Sequence, residues 1–273
     1  MPPRVLVLRS PGTNCDVETA FAFERAGALA ERIHINRLLE NPHKFSEFQI
    51  LVVPGGFSYG DDLAAGRILG NQIRHHLAEQ LVEFKAAGKL ILGICNGFQV
   101  LIKSPGILLG DNSGGEDPRR DDFGREYTLS PAATLTWNES GKFEDRWVHL
   151  RVAGQKCVFT RGIESLYLPV AHAEGKFVPA SDEVLRHWER NGQLALRYQT
   201  AAGETEQVPY PANPNGATAH VAGLCDTTGR VFGLMPHPER HIDPTQHPRW
   251  TRSPLPAEGD GLAIFKNAVG YFA

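Results

Sequence analysis

Cys95 stands between Gly93 and Gly97 in the run Lys89-Leu-Ile-Leu-Gly-Ile-Cys-Asn-Gly-Phe-Gln99. Gly-x-Cys-x-Gly is the spacing that a sharp strand-to-helix turn requires. The strained turn residue crowds its neighbours two positions away, and glycine removes the clashing Cβ atoms. Such an elbow would hold the thiol at a helix N-terminus, where free N–H groups stabilise negative charge on sulfur. The implied chemistry is nucleophilic. The same residues also describe a small buried cysteine packed between two glycines, and the short pattern leaves both readings open. Cys15, in the loop Ser10-Pro-Gly-Thr-Asn-Cys-Asp16, is a lesser thiol candidate, near a helix start but without framing glycines.

A cysteine nucleophile needs a base, and the base needs an acceptor that orients it. Of the eleven histidines, His237 has the most suitable neighbours, in Pro236-His-Pro-Glu-Arg240. Its flanking prolines restrict the backbone, and Glu239 can accept from one ring nitrogen, leaving the other for a thiol. His172 is the main rival, with Glu174 at the same offset, whereas His75-His76 falls within a helical pattern and reads as surface. A third element is Pro54-Gly55-Gly56 at the end of an apolar run. An N–H of Gly55 or Gly56 could join that of Asn96 in an oxyanion hole. A plain tight turn would need the same residues.

These residues must be positioned by something. Arg4 to Arg9, Ala30 to Ile35, Gln49 to Val53 and Leu90 to Ile94 read as strands of a parallel sheet. A helix is expected from Val17 to Ala28, capped by Asn14 or Asp16. Leu63 to Ala87 reads as another, broken near Gly66 or Gly70. The alternation predicts an α/β fold, an open, mostly parallel, doubly wound (flavodoxin-like) sheet with helices on both faces. Its ligands would bind at the carboxyl ends of the strands, where Gly55-Gly56 and Cys95 both fall.

After an expected exposed insertion around 104–130, shorter runs suggest added antiparallel strands: Thr134 to Trp137, Trp147 to Val152, Cys157 to Phe159, Leu166 to Ala171 and Leu194 to Tyr198. A helix is expected from Asp182 to Arg190, a turn at Asn213-Pro-Asn-Gly216, a strand from Val231 to Met235, and a packing helix from Leu262 to Phe272. With no repeat and no low-complexity linker, residues 1–273 are expected to form one domain.

Composition excludes several classes. A net charge of −3 and 22% charged residues give no general attraction to nucleic acid or an anionic membrane. Four scattered cysteines without a Cys-x-x-Cys pair argue against a disulfide framework or a zinc-ligand motif, so no metal is expected. No apolar run has membrane-spanning length, and the expectation is a cytoplasmic globular protein. No Gly-x-x-x-x-Gly-Lys-Ser/Thr loop is present, so ATP chemistry is not expected in this chain.

Three segments together resemble class I glutamine amidotransferases: Val53-Pro-Gly-Gly-Phe57, Gly93-Ile-Cys-Asn-Gly-Phe-Gln99 and Pro236-His-Pro-Glu239. More narrowly, Gly55-Gly-Phe-Ser-Tyr-Gly-Asp61, His172-Ala-Glu-Gly-Lys176, Asn213-Pro-Asn-Gly216 and Met235-Pro-His-Pro-Glu-Arg240 resemble the glutaminase subunits of phosphoribosylformylglycinamidine synthases. The resemblance implies Cys95 as nucleophile, His237 as general base and Glu239 as its orienting partner. It implies Asn96 with Gly55 or Gly56 as oxyanion donors, and Gln99 as a contact for substrate glutamine. It further implies no cofactor in this subunit, ATP and magnesium at a partner synthetase subunit, and a small accessory subunit. Ala217 and Asp62-Leu63 depart from the family pattern, as does the long insertion. A stand-alone cysteine amidase, another biosynthetic amidotransferase or a non-catalytic subunit would be the alternatives.

Overall fold

The computed structural model describes residues 1–104, 106–109, 132–252 and 254–273, so most of the expected insertion at 104–130 lies outside the described residues. Among the described residues, eleven strands run in chain order as β1 (Arg4–Arg9), β2 (Leu29–His34), β3 (Ile50–Val53), β4 (Leu90–Ile94), β5 (Ala133–Thr136), β6 (Glu144–Val152), β7 (Ser165–His172), β8 (Lys176–Pro179), β9 (Leu196–Gln199), β10 (Val221–Cys225) and β11 (Val231–Leu234). The helices are α1 (Asp16–Arg25), α2 (Ile35–Glu40), α3 (Arg67–His76), α4 (Ala78–Ala86), α5 (Asn96–Ile102), α6 (Asp182–Arg190) and α7 (Leu262–Gly270).

Nine strands form one sheet in the order β2-β1-β3-β4-β11-β10-β9-β6-β7. Every pairing from β2 to β11 is parallel, and every one from β11 to β7 is antiparallel. The central strands β3, β4 and β11 are buried along their whole length, as expected where both faces are covered. From β1 the chain crosses to β2 on one side, then returns past β1 to β3 and β4 on the other. Right-handed crossovers therefore place α1 opposite α2 to α5. The first layer is closed by α7, whose Phe265 meets Phe23 of α1 edge-to-face at 4.9 Å.

Most expected elements form, with four corrections. α1 begins at Asp16 with Cys15 at the cap position, and neither Asn14 nor Asp16 caps it. Those side chains are engaged elsewhere, Asn14 with the Cys15 thiol and Asp16 with Arg9 and Arg32. The Leu63 to Ala87 pattern divides at Leu77 between α3 and α4, while Gly66 supplies a left-handed cap before α3 (φ 72°). Cys157 to Phe159 is not a strand. Val158–Thr160 is a 3-10 turn whose Phe159 carbonyl accepts from Asn267 of α7. Finally, β10, like α2 and β8, has no counterpart in the sequence reading. It pairs with β11 through a hairpin that Asp226 closes by accepting from the amides of Arg230 and Val231.

The parallel half places its functional segments by geometry alone. β1, β3, β4 and β11 are neighbours pointing the same way, so the residues that follow them emerge along one edge of the sheet. Those residues are the Ser10–Cys15 loop, Pro54-Gly55-Gly56, Cys95 and Met235-Pro-His237. Four segments widely separated in sequence thus converge at the carboxyl ends of adjacent strands.

Candidate active site

Only Cys95 separates β4 from α5, and it has φ 50° and ψ −104°, a left-handed backbone that non-glycine residues rarely adopt. The framing glycines are required by close approach. A Cβ on Gly97 would lie 1.8 Å from the Val53 carbonyl oxygen, and one on Gly93 would lie 2.7 Å from that of Gly97. The elbow is tied to its neighbour strand by the Cys95 amide, which donates to Leu234 at 2.8 Å. Cys95 is 4% exposed, and its sulfur lies 3.7 Å from the Ala171 carbonyl oxygen, a weak contact.

His237 follows β11, and its amide donates to Pro169 of β7 at 2.8 Å. The antiparallel half thus holds the turn that carries the histidine. Its Nδ1 lies 2.6 Å from Glu239 Oε1, and both residues are buried. Glu239 at this distance accepts from Nδ1–H, which fixes the tautomer and leaves Nε2 available. Nε2 closes no hydrogen bond among the described residues. Burial opposes charge on this ring, yet the Glu239 carboxylate, with help from both nearby thiols, holds His237 well above the ordinary histidine value.

The rival pair does not form. His172 is buried with Nδ1 3.1 Å from Asn138 Oδ1, and the Asn138 amide nitrogen donates to the His172 and Lys142 carbonyls. Glu174 instead accepts from the Ala65 amide and faces Lys103 at 3.9 Å. Burial, assisted by the nearby His237, pushes His172 down to about 3, so it is neutral at physiological pH. His75 and His76 end α3 and are exposed.

Gly55 lies against the imidazole, where a Cβ would be 2.7 Å from His237 Cε1. The amides of Gly55 and Gly56 have no acceptor among the described residues, and Asn96, first residue of α5, has no acceptor within the helix. These N–H groups can serve an oxyanion. The Asn96 side chain accepts from the Ser58 amide at 3.3 Å and donates to Asp61 at 3.0 Å and Gln99 at 2.9 Å. Gln99 in turn donates to the Glu174 carbonyl at 2.5 Å. Both ends of the Gln99 amide are therefore engaged within the protein and brace the first turn of α5. Asp61, in the left-handed region at φ 55°, is pushed up to about 6 by burial.

Two features escape the sequence reading. Cys15 comes close to His237, and Arg240 bridges the Cys15 sulfur (3.2 Å) and Glu18 (2.9 Å). Burial pushes the Cys15 thiol up to about 11, so it is protonated at neutral pH. Only the position of Cys15 near a helix start hinted at this.

The arrangement of an elbow thiol, a carboxylate-oriented imidazole and free amides suits acyl transfer through a thioester. Comparison with known proteins agrees with that chemistry. The model of the CobB/CobQ-like glutamine amidotransferase domain matches residues 2–272. The chain belongs to this glutamine amidotransferase family. Within it, the chain is 49% identical to phosphoribosylformylglycinamidine synthase subunit PurQ of Dehalococcoides mccartyi, over 97% of this chain and 96% of the relative. It is 40% identical to the PurQ subunit of Methanococcus maripaludis, over 99% and 97% of the two chains. Among solved structures, a chain of PurLQS from Thermotoga maritima matches with a TM-score of 0.70 and 29% identity, covering 100% of both chains. The amidotransferase resemblance noted in the motifs is thus carried by the whole chain. Among the described residues, no helix is long and apolar enough to cross a membrane.

Proposed function

We propose that the chain is the glutaminase subunit of phosphoribosylformylglycinamidine synthase, with Cys95, His237 and Glu239 as its catalytic set. The observation that carries the assignment is the left-handed Cys95 elbow beside a buried His237–Glu239 pair. Support for the substrate and the partner comes from relatives named PurQ and from similarity to the PurLQS structure.

Cys95 gives its proton to His237 Nε2, and the thiolate attacks the side-chain amide carbon of glutamine. Glu239 lowers the cost of the imidazolium formed. The oxyanion is stabilised by the amide of Asn96 and that of Gly55 or Gly56. His237 then protonates departing ammonia, leaving a γ-glutamyl thioester, and next takes a proton from the water that hydrolyses it. Gln99 keeps the oxyanion-bearing turn in place through Asn96, and any contact with glutamine would add to that bracing role.

Ammonia passes to a synthetase subunit that binds ATP and magnesium, with a small accessory subunit in the complex, and this chain itself needs no cofactor. The site of action is the cytoplasm. The test is to assemble the full chain with the synthetase partner and compare nitrogen donors. Cys95→Ala should abolish synthesis from glutamine and leave synthesis from ammonia intact. Retained use of glutamine would remove the nucleophile assignment, and a failure to assemble with the synthetase would remove the partner assignment.

A further inference from the structure

The proposed reaction uses His237 through Nε2. The same ring also lies within a second group of donors. Among the described residues, Cys15, His237 and Glu239 each offer one ligand atom, and these atoms lie within 4.8 Å of one another. All three residues are buried, at 1%, 2% and 1% exposure. Glu239 Oε2 has no hydrogen-bond partner there, although burial makes an unpaired carboxylate oxygen costly. Space is present as well. Gly55 lacks the Cβ that would stand 3.0 Å from Cys15 Sγ and 3.4 Å from His237 Nδ1.

We propose that Cys15, His237 and Glu239 bind a zinc-class divalent cation that switches off the glutaminase by taking its base out of use. The switching part rests on the assignment of His237 as base. Tetrahedral zinc, with bonds of about 2.3 Å to sulfur and 2.0–2.1 Å to nitrogen and oxygen, sets its donors about 3.3–3.6 Å apart. To reach that spacing the His237 Nδ1–Glu239 Oε1 pair, 2.6 Å apart, opens slightly, while the donors that stand farther apart, all within 4.8 Å, move inward. A thiolate, an imidazole and a carboxylate select zinc or cobalt(II) over magnesium or calcium. Asn14 Oδ1, 3.2 Å from Cys15 Sγ, or a water can complete the shell. Arg240 leaves the sulfur and stays with Glu18, to which its Nε already donates.

On binding, the thiol proton of Cys15 is displaced to solvent, and the single proton of the neutral His237 ring moves from Nδ1 to Nε2. The one proton left on the ring sits on Nε2, so no lone pair faces Cys95. The ion thereby replaces the proton shared with Glu239. No sequence pattern announces this set, because its donors follow β1 and β11, strands far apart in the chain that the sheet sets parallel with β3 and β4 between them.

Cobalt(II) titration of the full chain tests the site without reference to activity. A thiolate-to-cobalt charge-transfer band should appear in the wild type, persist in Cys95→Ala, and be removed by zinc. It should be lost in Cys15→Ser and equally in Cys15→Ala, which deletes the donor without adding a hydroxyl. In the complex, zinc should inhibit synthesis from glutamine and spare synthesis from ammonia. Cys15→Ser should raise the inhibitory zinc concentration by at least about tenfold, as loss of a ligand requires. A band lost in Cys95→Ala but retained in the Cys15 variants would put the ion on the nucleophile and overturn the proposal. No band in any of the proteins would overturn it too. Full use of glutamine by Cys95→Ala would instead defeat the catalytic assignment while leaving the cobalt result standing.

Discussion

The junctions β1–α1 and β4–α5 each end a buried parallel strand, place a cysteine at the cap of the next helix, and bring that cysteine near His237. They differ in the turn. Cys15 closes the loop 10–15 with an ordinary backbone (φ −97°), whereas Cys95 makes the whole connection alone at φ 50°. The contacts differ accordingly. Cys15 Sγ lies 3.2 Å from both Asn14 Oδ1 and Arg240 Nη2, while Cys95 Sγ lies 3.7 Å from the Ala171 carbonyl and faces His237. On the proposed mechanism, nearness to the base is therefore insufficient to make a nucleophile. Backbone strain, maintained by glycine on either side, is what holds the Cys95 sulfur at the start of α5 without a short hydrogen bond of the kind Cys15 makes.

The widest contrast should come from removing each thiol in turn. Cys95→Ala should lower glutamine-dependent synthesis on the order of 10⁴-fold or more, the scale of losing a covalent nucleophile. Cys15→Ser, in metal-free buffer, should stay within about twofold of wild type, since its loss deletes no reacting atom. Similar losses in steady-state assays would break the comparison.

Glu239→Gln probes the proposed base that both junctions approach. An amide keeps an acceptor for Nδ1 but removes the charge that most strongly favours the protonated ring. The rate should fall about 10²–10⁴-fold, with the basic group in the pH–rate profile moving to lower pH. An unchanged profile would show that Glu239 only packs.

Gly97→Ala tests whether the elbow needs its glycines. The new Cβ would stand 1.8 Å from the Val53 carbonyl oxygen, so backbone must shift. A loss of about 3 kcal/mol in denaturant unfolding is expected. An alanine tolerated there would show that strain at Cys95 is not enforced by its neighbours.

A smaller effect comes from His172, which lies close to His237 and is held neutral. Its value drops from the ordinary 6.5 to about 3 on folding. Between those limits the unfolded chain binds a proton that the folded chain does not, so stability rises with pH in that window and falls on acidification. From pH 6.5 to pH 5 the loss from this group should be about 2 kcal/mol. His172→Gln should flatten that part of the stability–pH curve, whatever its own stability. An unaltered slope would show that His172 is charged in the fold.

The main parallel strands and the helices at Asp182–Arg190 and Leu262–Gly270 were legible because unbroken apolar runs and helical spacing are local properties. β10 was not, because Val-Ala-Gly-Leu-Cys is short and becomes a strand only by pairing with β9 and β11. The rank of His237 over His172 was suggested by prolines and a carboxylate two residues on, features the rival partly shares. Tertiary structure separated them, since Glu239 turns toward its histidine and Glu174 turns toward Ala65 and Lys103.

The sequence by itself determined the elbow: glycines two positions either side of Cys95 suit a left-handed turn, and the order strand, cysteine, helix puts the thiol at a helix N-terminus. Only the tertiary structure decided which groups meet that thiol. Four parallel strands side by side bring Cys15, Gly55, Cys95 and His237 to one edge, and β7 fixes the backbone of His237. The physical reason lies in range. Strain at one residue is set by its immediate neighbours, whereas burial, the charge state of an imidazole and the company a sulfur keeps depend on segments that meet only when the sheet forms.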